Sequence, residues 1–297
     1  MDRNSEPVKF WHVGGPLLLY WLIQFVAQLA AELVVMIPNI GRVIDYDALE
    51  KSTTTEEMTE VLLGSMQGMY EIIGEYMFPI LAFGALCTLL LTVPLFLKDR
   101  KKERVQHMQV VKIPGIKKYL IVFALGSAFC IGLNCLMMLS TLALSSLEYQ
   151  EVTMQAGVIV QILCTGVIVP IAEEVMFRGL VFKRFRERSS FFSAALLSSV
   201  IFGLVSGNTM QMLYVGALGM LLAYTYEICG TIKMPVVLHI SVNVMGILLT
   251  DSVLVTWLLG DLMRIGGAVI LSAFVGSSMY VLLRRMKPEP AQIPPVE

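Results

Sequence analysis

Charge is what this sequence has little of. Asp, Glu, Lys and Arg make up 15% of the 297 residues, and hydrophobic residues 56%. Soluble chains average about 25% charged residues. With apolar runs of about 20 residues recurring along the chain, this excludes a large soluble domain and points to a polytopic membrane protein. The net charge is −1. No basic patch is interleaved with aromatics, so no nucleic-acid partner is expected. The five cysteines, Cys87, Cys130, Cys135, Cys164 and Cys229, all fall inside apolar runs. They lack metal-ligand spacing and read as small hydrophobes, so neither a disulfide framework nor a zinc site is expected. No internal repeat is visible, which argues against an inverted-repeat transporter. The first apolar run, residues 13–37, is too long for a signal-peptide core and has no small-residue cleavage site, so it is expected to stay as an anchor.

What is present predicts an all-α protein of about eight transmembrane helices. They are expected at residues 13–37, 77–97, 119–144, 154–182, 190–205, 209–229, 234–250 and 262–283, with 253–259 as part of a bent or re-entrant span. Pro38 is expected to end the first. Residues 39–75 form the longest polar stretch, expected as an acidic extracytoplasmic loop, and Ser52 to Glu57 in it reads as a capped helix start. Basic clusters follow the second and fourth helices, at Lys98–Arg104 and at Lys183–Arg188, the latter read as a topogenic cluster. If the N-terminus is cytoplasmic, the even-numbered connections and the tail are too, leaving Arg42, Lys51 and Arg264 on the opposite side. The organisation expected is an N-terminal two-helix segment (1–118), a membrane core (119–286) and a proline-rich, disordered cytoplasmic tail (287–297).

Against this apolar background the stretch from Ala172 to Gly179 stands out, because Glu173, Glu174 and Arg178 fall at membrane depth or at its edge. Charges there cost several kcal/mol each unless paired, hydrated or neutralised. On a helix Glu174 and Arg178 share a face, whereas Glu173 points about 100° away. One carboxylate can be held by the arginine while the other stays free. Of the three histidines, His12, His107 and His239, only His239 lies within apolar sequence, with Asn243 one turn later. Each group has a structural reading, an ion pair in one case and a helix–helix hydrogen bond in the other. Together, a carboxylate, an imidazole and an amide are what water activation and oxyanion stabilisation require.

Three ordered motifs resemble those of the CPBP intramembrane proteases, the family of CAAX prenyl endopeptidases and bacteriocin-processing and immunity proteins. Glu173-Glu174-x-x-x-Arg178 with Gly179 and His239-x-x-x-Asn243 are both intact, and a glycine-containing helix with Gly216 and Gly219 lies between them. The middle motif, Phe-x-x-x-His, stands here as Phe202-Gly203-Leu204-Val205-Ser206, with serine at the histidine position. The resemblance covers residues 154–250. It implies that Glu173, with the histidine that Ser206 replaces, would orient and deprotonate the attacking water. Glu174 and Arg178 would support that arrangement, and His239 with Asn243 would stabilise the oxyanion. A serine can hold a water but cannot take its proton, and losing one acid–base partner typically removes about 10²–10⁴-fold in rate.

The function expected is therefore hydrolysis of a peptide bond by glutamate-activated water in a polar cavity opening to the cytoplasm, on a membrane-associated peptide. It would need no cofactor and no metal, since one intramembrane histidine is a poor zinc ligand set. The expected location is the cell membrane, bacterial rather than endoplasmic. The alternatives are a catalytically impaired relative that binds a membrane partner, and a proton-coupled transporter using the Glu pair. Oligomeric state stays open.

Overall fold

The computed structural model describes residues 10–107, 115–144, 156–204, 209–250 and 253–286. Ser206 and the tail expected to be disordered lie outside them. Every element is helical: α1 (Phe10–Val43), α2 (Tyr46–Lys51), α3 (Thr55–His107), α4 (Ile116–Leu144), α5 (Val158–Arg186), α6 (Phe191–Gly203), α7 (Thr209–Cys229), α8 (Lys233–Thr250), α9 (Val253–Leu259) and α10 (Leu262–Arg285). Among the described residues, seven helices are long and apolar enough to cross a membrane. The protein is thus an all-α, multi-pass membrane protein, as its composition requires.

Three expectations need correction. Pro38 does not end the first helix, which runs on to Val43. Proline removes only the single hydrogen bond to the Val34 carbonyl, and the adjacent Asn39 side chain adds a bond to the next carbonyl, Val35, at 2.8 Å. The polar stretch 39–75 is not a loop. The capping chemistry is as the sequence suggests: Glu57 N–H donates to Thr54 Oγ1 (3.2 Å), while Thr53 N–H and Thr54 N–H donate to Glu57 Oε2 (2.8 and 3.3 Å). From there α3 continues unbroken for 53 residues, roughly 80 Å. Val61, Ser65, Gly68 and Ile72 form a shielded stripe along that polar half, joined at its end by Ile73 and Gly74. Gly68 lies close to Val43 at the end of α1, where an added Cβ would sit 3.7 Å from its Cα. The third correction concerns α6. Its 13 residues span roughly 20 Å, short of a bilayer core of about 30 Å, so the eighth crossing predicted from 190–205 is not a full one.

The core gathers residues from every part of the bundle. Tyr20 of α1, Phe96 of α3, Val122 of α4, Met176 and Leu180 of α5, Phe202 of α6, Leu222 of α7 and Leu238 of α8 form one buried cluster. Outward faces are apolar as well, with Ile270, Leu271 and Phe274 of α10 all exposed, as lipid contact demands. Without a hydrophobic drive between helices, packing in lipid depends on small residues that admit a neighbour's backbone. Gly126 does this between α4 and α8, where an added Cβ would lie 2.7 Å from the Leu238 carbonyl and overlap the Ser241 hydroxyl. Gly219 does it between α7 and α6, where a Cβ would come within 2.8 Å of the Ser199 side chain. These two approaches hold α8 against α4 and α7 against α6.

Candidate active site

Helix α5 is not a uniform α-helix. Its α-helical centre, Val169–Met176, carries both glutamates and is flanked by π-helical turns at Ile162–Ile168 and Phe177–Phe182. Pro170 supplies a local cause for the first. At the end of the π turn Val169 N–H bonds to Cys164 O, five residues back. The next bond in that register would join Thr165 O to residue 170, and proline has no N–H to give. The stranded Thr165 carbonyl is met by Asn243 Nδ2 of α8 at 2.8 Å. One amide hydrogen of Asn243 therefore ties α8 to the site helix, and the other is left for different work.

The two carboxylates separate as their spacing predicts. Glu174 is fully buried, and its Oε1 accepts from Arg178 Nη1 at 3.0 Å. The same oxygen lies 2.9 Å from His239 Nδ1. Arg178, 1% exposed, extends Nη2 to the Gly219 carbonyl at 3.3 Å and lays its guanidinium over the Phe202 ring, 4.5 Å from the centroid. Its Nε and Glu174 Oε2 have no hydrogen-bond partner among the described residues. Glu173 points elsewhere: its side chain is 25% exposed, and Oε2 lies 3.7 Å from His239 Nε2.

The imidazole thus sits between two carboxylates. Nδ1 is the nitrogen turned toward Glu174 and Nε2 the one turned toward Glu173, and a proton on Nδ1 would donate to the Glu174 carboxylate. The 3.7 Å gap is too long for a direct hydrogen bond. One water about 2.8 Å from each atom can touch both. The arrangement can hold a water, take its proton on a carboxylate and offer an imidazole beside it.

Of the residues singled out in the sequence, Glu173, Glu174, Arg178 and His239 converge directly, and Asn243 joins through the Thr165 carbonyl. Ser206 lies outside the described residues; Phe202, four residues earlier in sequence, stacks on Arg178 and meets the His239 ring edge-on at 5.9 Å. Sequence reasoning missed the roles of the Thr165 carbonyl and of the aromatics. A proline five residues after Thr165, in a helix already marked by charge, was the available signal for the first. Nothing distinguished Phe177 from lipid-facing aromatics, and Phe202 was marked only as the start of the middle motif. Lys183–Arg188 needs a correction too: Arg184 is not a surface charge but is 5% exposed, with Nε on Asp99 Oδ2 at 2.8 Å and Nη1 on the His12 carbonyl.

Residues 155–245 match the family described as Type II CAAX prenyl endopeptidase Rce1-like. An 82-residue stretch is 35% identical to a Bacillus subtilis (strain 168) protein named "Putative membrane peptidase YdiL". That stretch is 28% of this chain and 34% of that relative, so the chain spans about a third of the relative's length. No solved structure matches. Both findings support the CPBP family, and the family match falls on the helices that hold the carboxylates, the imidazole and the amide.

Proposed function

We propose that this chain, a multi-pass membrane protein with a core of the CAAX-protease type, is an intramembrane endopeptidase that hydrolyses a peptide bond with glutamate-activated water. The observation carrying this is the row Arg178–Glu174–His239–Glu173, with one carboxylate pinned and the other facing an imidazole nitrogen across a water-sized gap. With a proton on both ring nitrogens the four groups sum to zero charge, the least costly state at membrane depth. Nε2–H then donates to the water, and the water donates to Glu173. As the water oxygen attacks the scissile carbonyl, its proton passes to Glu173 and the carbonyl electron pair moves onto oxygen. The developing oxyanion takes the hydrogen bond from Nε2–H and one from the second Asn243 hydrogen. Glu173 hands the proton to the departing amine as the C–N bond breaks.

The proposed substrate is a membrane-associated peptide, and processing of a bacteriocin-like peptide or immunity at the plasma membrane fits it. In this reading residues 119–286 are the protease core and 1–118 a membrane segment packed onto it. The basic ends of α3 and α5 face the cytoplasm. A cysteine placed at Thr54 should be labelled from outside the cell, and one at Gln106 should not; the reverse pattern would overturn this orientation.

Ser206 favours a second reading, a relative that binds a membrane partner without turnover. Purified protein incubated with membrane peptides separates the two. Peptidase activity should be present and abolished by Glu173→Gln, and Ser206→His should raise it about 10-fold or more, within what one acid–base group supplies. If neither native nor Ser206→His protein cleaves any peptide, and Glu173→Gln leaves the cellular phenotype intact, the binding reading replaces the protease.

A further inference from the structure

The N-terminal end of α3 is too far from its anchored end to stay in the membrane. About 66 Å of helix separates Thr55 from Asp99, which Arg184 holds at the polar end of α5. A bilayer with its headgroups is about 40–45 Å thick, and spanning helices tilt by about 20° on average. At that tilt roughly the first three turns of α3, from Thr55 toward Met66, stand in water. Tyr70 then falls at headgroup level, where an amphipathic ring is well placed.

At about 100° per residue this segment divides into three sectors. Val61, Ser65, Gly68 and Ile72 make the shielded stripe, with Gly68 against the end of α1. A second sector carries Glu56, Glu57, Glu60, Glu71 and Glu75, all exposed. The third, an arc of about 140°, carries Met58, Leu62, Leu63, Met66, Met69 and Tyr70, and every one of them is exposed. Thr59 shares that arc, and its hydroxyl turns back to the Thr55 carbonyl at 2.8 Å. An apolar stripe this broad is what an amphipathic helix lays against a neighbour, yet among the described residues nothing covers it.

Charge identifies the occupant. Between Asp45 and Glu75 the only cation is Lys51, against eight carboxylates. Glu56, Glu60, Glu71 and Glu75 form no ion pair among the described residues. A second copy of the chain would bring like charge to the rim of the patch, which opposes docking. The connection after α4, residues 145–155, adds Glu148 and Glu151 and no cation, so it is not the complement either. We propose that this face of α3 is a docking surface for a basic amphipathic helix presented from the water beyond the membrane. The apolar stripe of that helix would lie on Met58, Leu62 and Met66, with its Lys or Arg side chains over Glu56 and Glu60. Unbranched methionines adapt to partners of differing shape, so the surface selects charge and helical spacing more than one sequence. The dock stands at the opposite end of α3 from Arg184 and does not depend on the peptidase reading.

The test uses the full chain in phosphatidylcholine nanodiscs, with empty nanodiscs as reference. The probe is a fluorescent amphipathic helix of about 18 residues with leucines on one face and lysines on the other. Its counterpart has glutamate in place of lysine. The lysine peptide should bind, and Leu62→Ser with Met66→Ser should weaken binding about 10-fold or more, since two buried apolar side chains are lost. Glu56→Gln with Glu60→Gln should weaken it and flatten its dependence on salt; this variant decides alone if the serine variant does not fold. Equal binding to native and variant proteins, or equal binding of both peptides, overturns the proposal. So does a native dimer that becomes monomeric with Leu62→Ser and Met66→Ser, because a second copy would then cover the face. A nitroxide on Met66→Cys should meet a water-soluble nickel chelate more often than lipid-soluble oxygen. The reverse would place the face in lipid and overturn the proposal as well.

Discussion

Arg178 and Arg184 are both buried on α5, and they are used in opposite ways. Arg184, at the polar end of the helix, is satisfied by the other half of the molecule: Asp99 from α3 and the His12 carbonyl from α1. It fastens the N-terminal helices to the site helix. Arg178, at membrane depth, is held within the site region by Glu174, the Gly219 carbonyl and the Phe202 face, and its Nε has no partner among the described residues. A helix optimised for stability alone would not leave a buried guanidinium N–H and a carboxylate oxygen unpaired. The contrast shows where the fold gives up stability to hold charge in a particular geometry.

The comparison is broken most severely at Arg178. Arg178→Ala leaves a buried carboxylate without its cation, a loss of about 3–5 kcal/mol. Thermal unfolding in detergent should show a larger drop for this variant than for Glu174→Gln with Arg178→Ala; equal or additive drops would mean the pair is not coupled. At the other end, Arg184→Ala should cost less, about 1.5–3 kcal/mol for charge-assisted hydrogen bonds. A double-mutant cycle with Asp99→Ala should show strong coupling, and additive effects would remove the fastening role.

A neutral contact sharpens the picture. Asn243→Ala strands the Thr165 carbonyl, at about 1–3 kcal/mol. In a Pro170→Ala background the restored N–H can meet that carbonyl, so the same substitution should cost markedly less, measured by the same melts. An equal cost in both backgrounds would show that Asn243 does not answer the proline. The smallest effect belongs to Arg186, whose Nη2 lies 2.9 Å from Glu227 in a pair 40% and 35% exposed. Removing it should cost about 0.2–1 kcal/mol and fade with added salt, since solvent screens it.

The carboxylate pair shows how far spacing alone reaches. Two adjacent glutamates and an arginine four positions after the second fix, on any helix, which one is pinned and which is free, because 3.6 residues per turn allows no other arrangement. Hydropathy located the full crossings just as directly, since a bilayer sets the length of an apolar run. It failed where the run was short, at α6, and where polarity was mistaken for a loop, at residues 39–75. There the helix persists because strong helix formers need only one narrow stripe to lie on a neighbour.

Other features could not be read from order along the chain. Lys183–Arg188 looked uniform, and which of its cations would be buried depended on Asp99 and His12 arriving from distant helices. Tyr20 was one aromatic among many until the bundle put it in line with Phe177, Phe202 and His239. Nor could Asn243 be tied to Thr165 before α8 was laid against the π turn at Pro170. The sequence by itself determined a multi-pass helical protein and the separation of its two carboxylates, because both follow from local geometry and the cost of charge in lipid. The partners of those charges were decided by the tertiary structure alone, because burial demands a partner for each polar atom and only helix packing brings one within reach.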